Sequence, residues 1–330
     1  MVKKYYCNGK LLLTGEYIVL DGALSLAVPT QFGQSLTVET IDERKLIWKS
    51  LDEKGNIWFE DVFLFDEIAS VSSKPRNDVS IRLLQILNAT KQLNPDFLSI
   101  QNGFAVTTKL DFPQFWGLGS SSTLINNIAQ WAEIDPYKLL KQTFGGSGYD
   151  IACAQHNVPI TFQLKNEFTD EILKQVQNDN KGGKIFHSAQ KDTVREILKV
   201  DFTPIFKDHL FFVHLNKKQN SRDGIKHYNA NKNNSVLAIS EINDITSKMI
   251  KCVNLTDFET LITSHENIIS KIIKQKPVKE LLFNDYKGAI KSLGAWRGDF
   301  VLVTGNKNSV SYFRNKGYHT IIPYSEMVLK

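Results

Sequence analysis

The feature that most constrains the fold is a glycine- and serine-rich run, Gly117–Ser122, inside "FWGLGSSSTLIN". The preceding segment "GFAVTTKLDF" alternates in polarity, which predicts a half-buried strand. The residues after the run predict an amphipathic helix, because apolar side chains recur at helical spacing at Leu124, Ile125, Ile128, Trp131 and Ala132. A run that joins a strand directly to a helix is a tight turn, not a slack linker.

Such a turn has a specific chemistry. The first backbone N–H groups of a helix lack intrahelical acceptors, and the helix dipole adds partial positive charge there. Glycines let successive N–H groups point inward and keep Cβ atoms away from an anion, and serine hydroxyls add donors. The run therefore predicts a phosphate-binding loop. The alternative is a serine-capped helix that follows a flexible turn.

Other glycine motifs fit the sequence less well. A Walker A loop needs a lysine that is absent here, and Ser122 stands where a dinucleotide fingerprint has its third glycine. Protein kinase signatures are absent, and Tyr149 replaces the last glycine of a hydrolase elbow in "GGSGYD".

Two other segments carry chemistry. The segment 8–22, "NGKLLLTGEYIVLDG", places Lys10 on a strand before a Gly-Glu turn. The segment 145–154, "GGSGYDIACA", places Asp150 just inside a helix start, where an acid can accept a proton from a substrate hydroxyl. Taken singly, each has a plainer interpretation: a lysine on a solvated strand edge, and an aspartate that caps a helix.

Together these segments resemble the motifs of the GHMP kinases, which are galactokinase, homoserine kinase, mevalonate kinase and phosphomevalonate kinase. The first motif is similar to "GKLLLTGEY", the phosphate loop to "GLGSSS" and the third motif to "SLGAWRGDFVLV" at 292–303. The segment "GSGYDIA" resembles the phosphomevalonate kinase branch. The resemblance implies an α+β fold of two domains, 1–170 and 171–330, with ATP bound in the cleft between them.

The resemblance also implies a set of site residues. Lys10 would lie near the transferred phosphoryl group, and Asp150 would act as a base or orient the attacking group. The residues that would bind the ATP phosphates are Gly117, Leu118, Gly119, Ser120, Ser121 and Ser122, with Ser121 also ligating Mg²⁺. The acceptor side would be lined by Glu16, Ser147, Gly148, Tyr149 and Arg297.

The sequence departs from the family pattern in two places. Trp296 and Arg297 interrupt the third motif in "GAWRGD". Arg297 either grips an anion or is an exposed loop arginine, and Trp296 is predicted to pack in the interior. The turn "YKLLKQTF" lacks the glutamate that holds Mg²⁺ in mevalonate kinase-like members, so the metal would depend on Ser121, ATP oxygens and water.

The composition argues against several classes of protein. The 330 residues suffice for about two domains. A net charge of +5 with scattered basic residues predicts no nucleic-acid surface. The histidines lack metal-site spacing, and no signal-peptide or membrane-spanning run occurs. The three cysteines are far apart, so the composition predicts a cytoplasmic protein without disulfides or membrane attachment. The oligomeric state, homodimer included, stays open.

The predicted function is an ATP- and Mg²⁺-dependent small-molecule kinase that phosphorylates mevalonate or phosphomevalonate. A diphosphomevalonate decarboxylase and a non-catalytic nucleotide-binding regulatory protein are the alternatives.

Other secondary-structure predictions follow from periodicity and capping: a helix that begins at Pro136 after the N-cap Asp135, and helices over 77–92, 235–252, 257–275 and 279–292.

Overall fold

The computed structural model describes residues 2–69, 76–99, 101–165, 194–219, 221–232, 236–296 and 298–329. The chain forms two compact units. The first contains Met1–Lys10 and Pro29–Asn157, and the second contains Leu11–Val28 and Val158–Lys330. The predicted domain boundary between residues 170 and 171 lies outside the described residues.

The first unit is built on an antiparallel-rich sheet. Its strands are the first part of β1 (Val2–Leu12), most of β2 (Ser25–Ile41), β3 (Leu46–Leu51), β4 (Ile57–Phe63) and β5 (Gly103–Leu110). The order is β4-β3-β5-β2, and β1 also pairs with β2. Strands β3 and β5 are parallel, whereas β3–β4 and β2–β5 are antiparallel. The turn between β3 and β4 contains Gly55 in a left-handed conformation.

Helices cover this sheet. They are α1 (Phe65–Ala69), α2 (Asp78–Leu93), α3 (Ser120–Trp131), α4 (Pro136–Thr143) and α5 (Tyr149–Ala154). The core includes Trp48 and Val106 from the sheet and Ile125 and Ile128 from α3. The predicted start of α4 is confirmed, since the Asp135 side chain accepts the N–H of Tyr137. Ile151 of α5 belongs to the same core.

The second unit contains two groups of strands. In the first, β6 (Ile160–Lys165) pairs with β7 (Val194–Lys199) and with the first residues of β2. The second is an antiparallel sheet of order β11-β8-β10-β9. Its strands are β8 (Leu210–His214), β9 (Ile290–Ser292), β10 (Phe300–Thr304) and β11 (Ile321–Pro323). His214, the last residue of β8, is a buried core histidine.

The helices of the second unit are α6 (Ser221–Asn231), α7 (Val236–Ile250), α8 (Leu255–Ile273), α9 (Val278–Leu282), α10 (Lys307–Asn315) and α11 (Tyr324–Met327). The predicted helices 235–252 and 257–275 are therefore confirmed. The predicted helix 279–292 is wrong: α9 ends at Leu282, and Ile290–Ser292 is strand β9 paired with β10. Periodicity failed there because strand pairing within the sheet overrides a helical spacing of apolar residues. None of the described helices is long and apolar enough to cross a membrane.

Candidate active site

The glycine-serine run forms the predicted turn between a strand and a helix. After β5, a short 3-10 turn at Gln114–Trp116 leads to Gly117, and α3 begins at Ser120. Gly117 (φ 70°) and Gly119 (φ 92°) adopt left-handed backbone angles that favour glycine. The two glycines therefore let the chain reverse within three residues and enter the helix.

The start of α3 has no side-chain cap. Gly119 occupies the N-cap position, where no side-chain hydrogen bond is made. The Ser122 hydroxyl is buried and donates to the Gly119 carbonyl oxygen at 2.8 Å, so it stabilises the turn from within. Ser120 is half-buried and Ser121 is exposed. The first-turn N–H groups therefore have no acceptor inside the helix, which is the arrangement that binds anions.

Strand β1 lies directly against this loop. The Lys10 backbone N–H donates to the Leu118 carbonyl oxygen at 2.9 Å. One residue earlier, a Cβ on Gly9 would lie 2.6 Å from Thr30 Oγ1 and 3.0 Å from the Leu118 oxygen. Gly9 thus permits the close approach, a role that sequence reasoning missed, although the glycine beside Lys10 was a visible signal.

The Lys10 side chain runs across the loop and is nearly buried, with 9% of its surface exposed. A Cβ on Gly119 would lie 3.1 Å from Lys10 Cε, so the lysine stem passes over the glycine. The Lys10 ammonium donates to the Gly117 carbonyl oxygen at 3.4 Å and lies 5.5 Å from the ring centroid of Tyr149. Lys10 is therefore not a solvated edge lysine.

Asp150 is the second residue of α5, whose N-cap is Gly148 (φ 89°). Burial raises the pKa of the Asp150 carboxyl, and the positive charge of Lys10 opposes that rise. Asp150 Oδ1 accepts the N–H of Ile151 at 3.0 Å. The carboxyl is thus held in a partly desolvated position under the influence of the Lys10 charge, which suits a group that takes up a proton.

The other residues of the Asp150 segment adjoin it. Ser147 is buried, and its Oγ accepts the N–H of Tyr149 at 3.4 Å. Gly148 adopts its left-handed conformation between them, so Tyr149 begins the helix with its ring near Lys10. The first unit therefore brings together Lys10, the glycine-serine loop and the segment 147–150.

Glu16 lies in the second unit, inside a closed cluster of charged groups. Its carboxylate accepts a hydrogen bond from Lys291 Nζ at 2.7 Å, and Lys291 also bonds Glu266 at 3.3 Å. Ser292 Oγ donates to Glu266 at 2.8 Å, and His265 Nε2 accepts the N–H of Gly15 at 2.9 Å. All of these side chains are 3% exposed or less. A lysine in the apolar segment "AIKSL" was the signal that this buried ion cluster existed.

The pKa values of this cluster follow from its burial. Burial raises the pKa of Glu266 to about 7, although Lys291 acts in the opposite direction. Burial raises the pKa of Glu16 for the same reason. The pKa of His265 is held well below its usual range by burial and by the Lys291 charge. With its Nε2 accepting from Gly15, His265 is therefore neutral in the folded protein.

Of the two residues that interrupt the third motif, the structure describes one. Trp296 is 1% exposed and belongs to the same apolar cluster as Tyr17 and Tyr228, which confirms that it packs in the interior. Arg297 lies outside the described residues. Across the described part of the chain, no three His, Cys, Asp or Glu side chains are grouped to hold a metal ion.

The comparisons with solved structures cover nearly the whole chain. The chain is similar to Methanococcus jannaschii mevalonate kinase (15% identity, TM-score 0.64, 96% of this chain and 94% of that one). It is also similar to Streptococcus pneumoniae phosphomevalonate kinase in complex with phosphomevalonate and AMPPNP (15%, 0.64, 95% and 95%). A third is Lactococcus lactis galactokinase complexed with galactose (14%, 0.61, 96% and 88%).

The chain has the GHMP kinase fold. No family model and no curated protein sequence matches it. The α+β architecture predicted from the motifs is therefore confirmed. At identities of 13–16%, the likeness establishes the GHMP kinase fold but does not identify a substrate.

Proposed function

We propose that this protein is an ATP-dependent kinase that phosphorylates a small molecule, with mevalonate or phosphomevalonate as the acceptor. The observation that carries the proposal is the meeting of Lys10 with two other motifs. Its ammonium bonds the Gly117 carbonyl of the loop, and its charge acts on Asp150 of α5. A cation, a carboxylate and an uncapped helix start are the parts that phosphoryl transfer requires.

Each part has a role in the reaction. The N–H groups of Ser120–Ser122 bind the negatively charged phosphate oxygens at the start of α3. Ser120 and Ser121 hydroxyls add donors on the exposed side of the turn. Ser121 would also contribute to holding Mg²⁺, which supplies charge neutralisation on the phosphates when bound. The fit is reasonable, since Mg²⁺ retains waters and phosphate oxygens as ligands and needs few protein groups.

The transfer itself needs a positioned acceptor oxygen. The acceptor oxygen forms a bond to the γ-phosphorus as the bond from that phosphorus to the leaving ADP oxygen breaks. Asp150 accepts the proton when the acceptor is a hydroxyl, and its raised pKa makes it a stronger base than an ordinary aspartate. When the acceptor is a phosphate, Asp150 orients it instead. Lys10 offsets the negative charge that develops on the transferred group.

Two points support an acceptor from the mevalonate series. The segment "GSGYDIA" resembles the phosphomevalonate kinase branch, and similar structures include mevalonate and phosphomevalonate kinases. Ser147 and Gly148 adjoin Asp150 and would contact the acceptor. Glu16 is 1% exposed and bonded to Lys291, so it would stabilise the second unit and not contact the acceptor. The protein would act in the cytoplasm.

An acceptor panel tests the proposal. Purified protein with Mg²⁺ and ATP would be supplied with mevalonate, phosphomevalonate, diphosphomevalonate, galactose and a heptose phosphate, and ADP release and CO₂ release would be measured together. We expect acceptor-dependent ADP release without CO₂ for mevalonate or phosphomevalonate. Stoichiometric CO₂ from diphosphomevalonate would indicate a decarboxylase. ATP binding without turnover on any acceptor would indicate a non-catalytic nucleotide-binding protein.

A further inference from the structure

Tyr149 lies beside both Lys10 and Asp150. It is the first residue of α5, directly before Asp150, and its ring centroid lies 5.5 Å from the Lys10 ammonium. An ammonium within about 6 Å of an aromatic ring centroid is attracted by the negative face of the ring. The nearly buried setting of Lys10 strengthens such a contact, because less water competes for the charge.

The contact links the glycine-serine loop to the start of α5. The Lys10 ammonium donates to the Gly117 carbonyl oxygen of the loop at 3.4 Å and also lies near the Tyr149 ring. Tyr149 begins α5 directly after Gly148 and directly before Asp150. The ring therefore contacts the ammonium from the same segment that carries Asp150.

We propose that Tyr149 is a positioning residue, whose ring holds the Lys10 ammonium between the phosphate loop and Asp150. The effect of Tyr149 on catalysis rests on the proposed function, whereas its contact with Lys10 is a property of the unliganded protein. It differs from a role in lining the acceptor pocket, because the ring acts through Lys10. A consequence is that part of the effect of Tyr149 on Asp150 depends on the presence of Lys10.

A double-mutant cycle on the unliganded protein tests that consequence. The Asp150 carboxyl would be titrated by ¹³C NMR, with its resonance assigned from Asp150→Asn, in the wild type, Tyr149→Leu, Lys10→Met and the double variant. The quantity compared is the change in the Asp150 pKa that Tyr149→Leu causes. We expect this change to differ by about half a pKa unit or more between the wild-type background and the Lys10→Met background. The same change in both backgrounds would overturn the proposal.

Two further variants separate the ring from other effects. Tyr149→Phe retains the aromatic face and should retain the coupling between positions 149 and 10. Tyr6→Leu removes a ring from the same strand as Lys10, where the Tyr6 hydroxyl instead donates to Asp111 at 2.9 Å. This control should leave the Asp150 titration unchanged. A coupling that is lost in Tyr149→Phe would contradict a role for the ring.

The kinetic readout distinguishes this inference from the proposed function. With an active acceptor, Tyr149→Leu should lower kcat about 3- to 30-fold with the acceptor KM within about twofold, since only the ammonium is displaced. A raised acceptor KM with unchanged kcat would place the ring against the acceptor and overturn the proposal. If the wild type transfers no phosphate, the proposed function fails, while the NMR cycle still decides the role of Tyr149.

Discussion

The backbone N–H of Lys10 donates to the carbonyl oxygen of Leu118 at 2.9 Å. This bond ties strand β1 to the loop that precedes α3, although the two residues are more than 100 positions apart in the sequence. It fixes the root of the lysine side chain, whose ammonium then bonds Gly117 in the same loop. The catalytic proposal depends on this arrangement, since it sets the cation beside the phosphate-binding turn.

With a hydroxyl acceptor, Asp150→Asn should lower kcat by at least about 100-fold, because an amide cannot accept the proton of that hydroxyl. The measurement is steady-state ADP release with the best acceptor. Asp111→Asn is the matched control, since Asp111 is an exposed aspartate of the same unit that bonds Tyr6. Equal activity of the two variants would remove Asp150 from the mechanism.

Gly119→Ala should weaken nucleotide binding. A Cβ there would lie 2.8 Å from Ser122 Oγ and 3.1 Å from Lys10 Cε, and the φ of 92° is unfavourable for alanine. Gly55→Ala is the matched control, because Gly55 has a φ of 87° and nothing within 4 Å of its added Cβ. Both variants should lose about 1–2 kcal/mol of stability from the left-handed angle.

The two glycine variants should differ in titration calorimetry with an ATP analogue. Gly119→Ala should raise the Kd at least about tenfold, which corresponds to about 1.4 kcal/mol. Gly55→Ala should bind as the wild type does. Wild-type affinity in Gly119→Ala would show that the phosphates bind elsewhere.

The buried cluster of the second unit makes stability depend on pH. Glu266 has a folded pKa of about 7 and an ordinary value of 4.5, so the folded protein holds a proton that the unfolded chain has released. Stability from this group is therefore lost as the pH rises through 7. His265 acts in the opposite sense, because around and below its ordinary pKa of 6.5 the unfolded chain gains a proton that the folded protein does not.

Between about pH 6.5 and about pH 8, Glu266 should lower the free energy of unfolding by about 1 kcal/mol. His265 offsets a few tenths of that over the same range, but it is present in both wild type and Glu266→Gln, so the comparison of the two isolates Glu266. The neighbours facing Glu266 are Glu16, Lys291 and Ser292, of which Glu16 shares the upward pKa shift. Urea unfolding of wild type and Glu266→Gln measures the difference. Parallel pH curves for the two proteins would refute a proton on Glu266.

Lys291→Met should destabilise the second unit by about 3–5 kcal/mol, because it leaves two buried carboxyls without their cation. Lys248→Met is the matched control: Lys248 pairs with Asp244 at 2.6 Å, but both side chains are more than half exposed. Breaking that surface pair should cost less than about 1 kcal/mol. Thermal unfolding measures both, and similar melting temperatures for the two variants would argue against a buried ion cluster.

Local signals predicted much of the fold. Asp135 and Pro136 mark the start of α4, and the glycines at 117 and 119 mark the turn before α3, because capping and left-handed angles are set by a few adjacent residues. The region 279–292 shows the limit of this approach. Its strand residues pair with β10, and that partner is invisible to a periodicity argument.

The candidate site also has a part that the sequence predicted and a part that it did not. Motifs predicted Lys10, the phosphate loop and Asp150, since each lies in a short segment with its own chemistry. The contact between Lys10 and Tyr149 could not be predicted, because it joins positions that come together only through the fold. The same holds for the ion pair between Glu16 and Lys291, which are 275 positions apart.

The central claim is that the N–H groups at the start of α3 bind the nucleotide phosphates. Titration of ¹⁵N-labelled protein with Mg²⁺ and a non-hydrolysable ATP analogue, followed by amide NMR, tests it most directly. We predict that the largest amide shifts fall at Gly119, Ser120, Ser121 and Ser122, and that the triphosphate portion alone reproduces them. Saturable nucleotide binding that leaves these amide resonances unmoved would contradict the account.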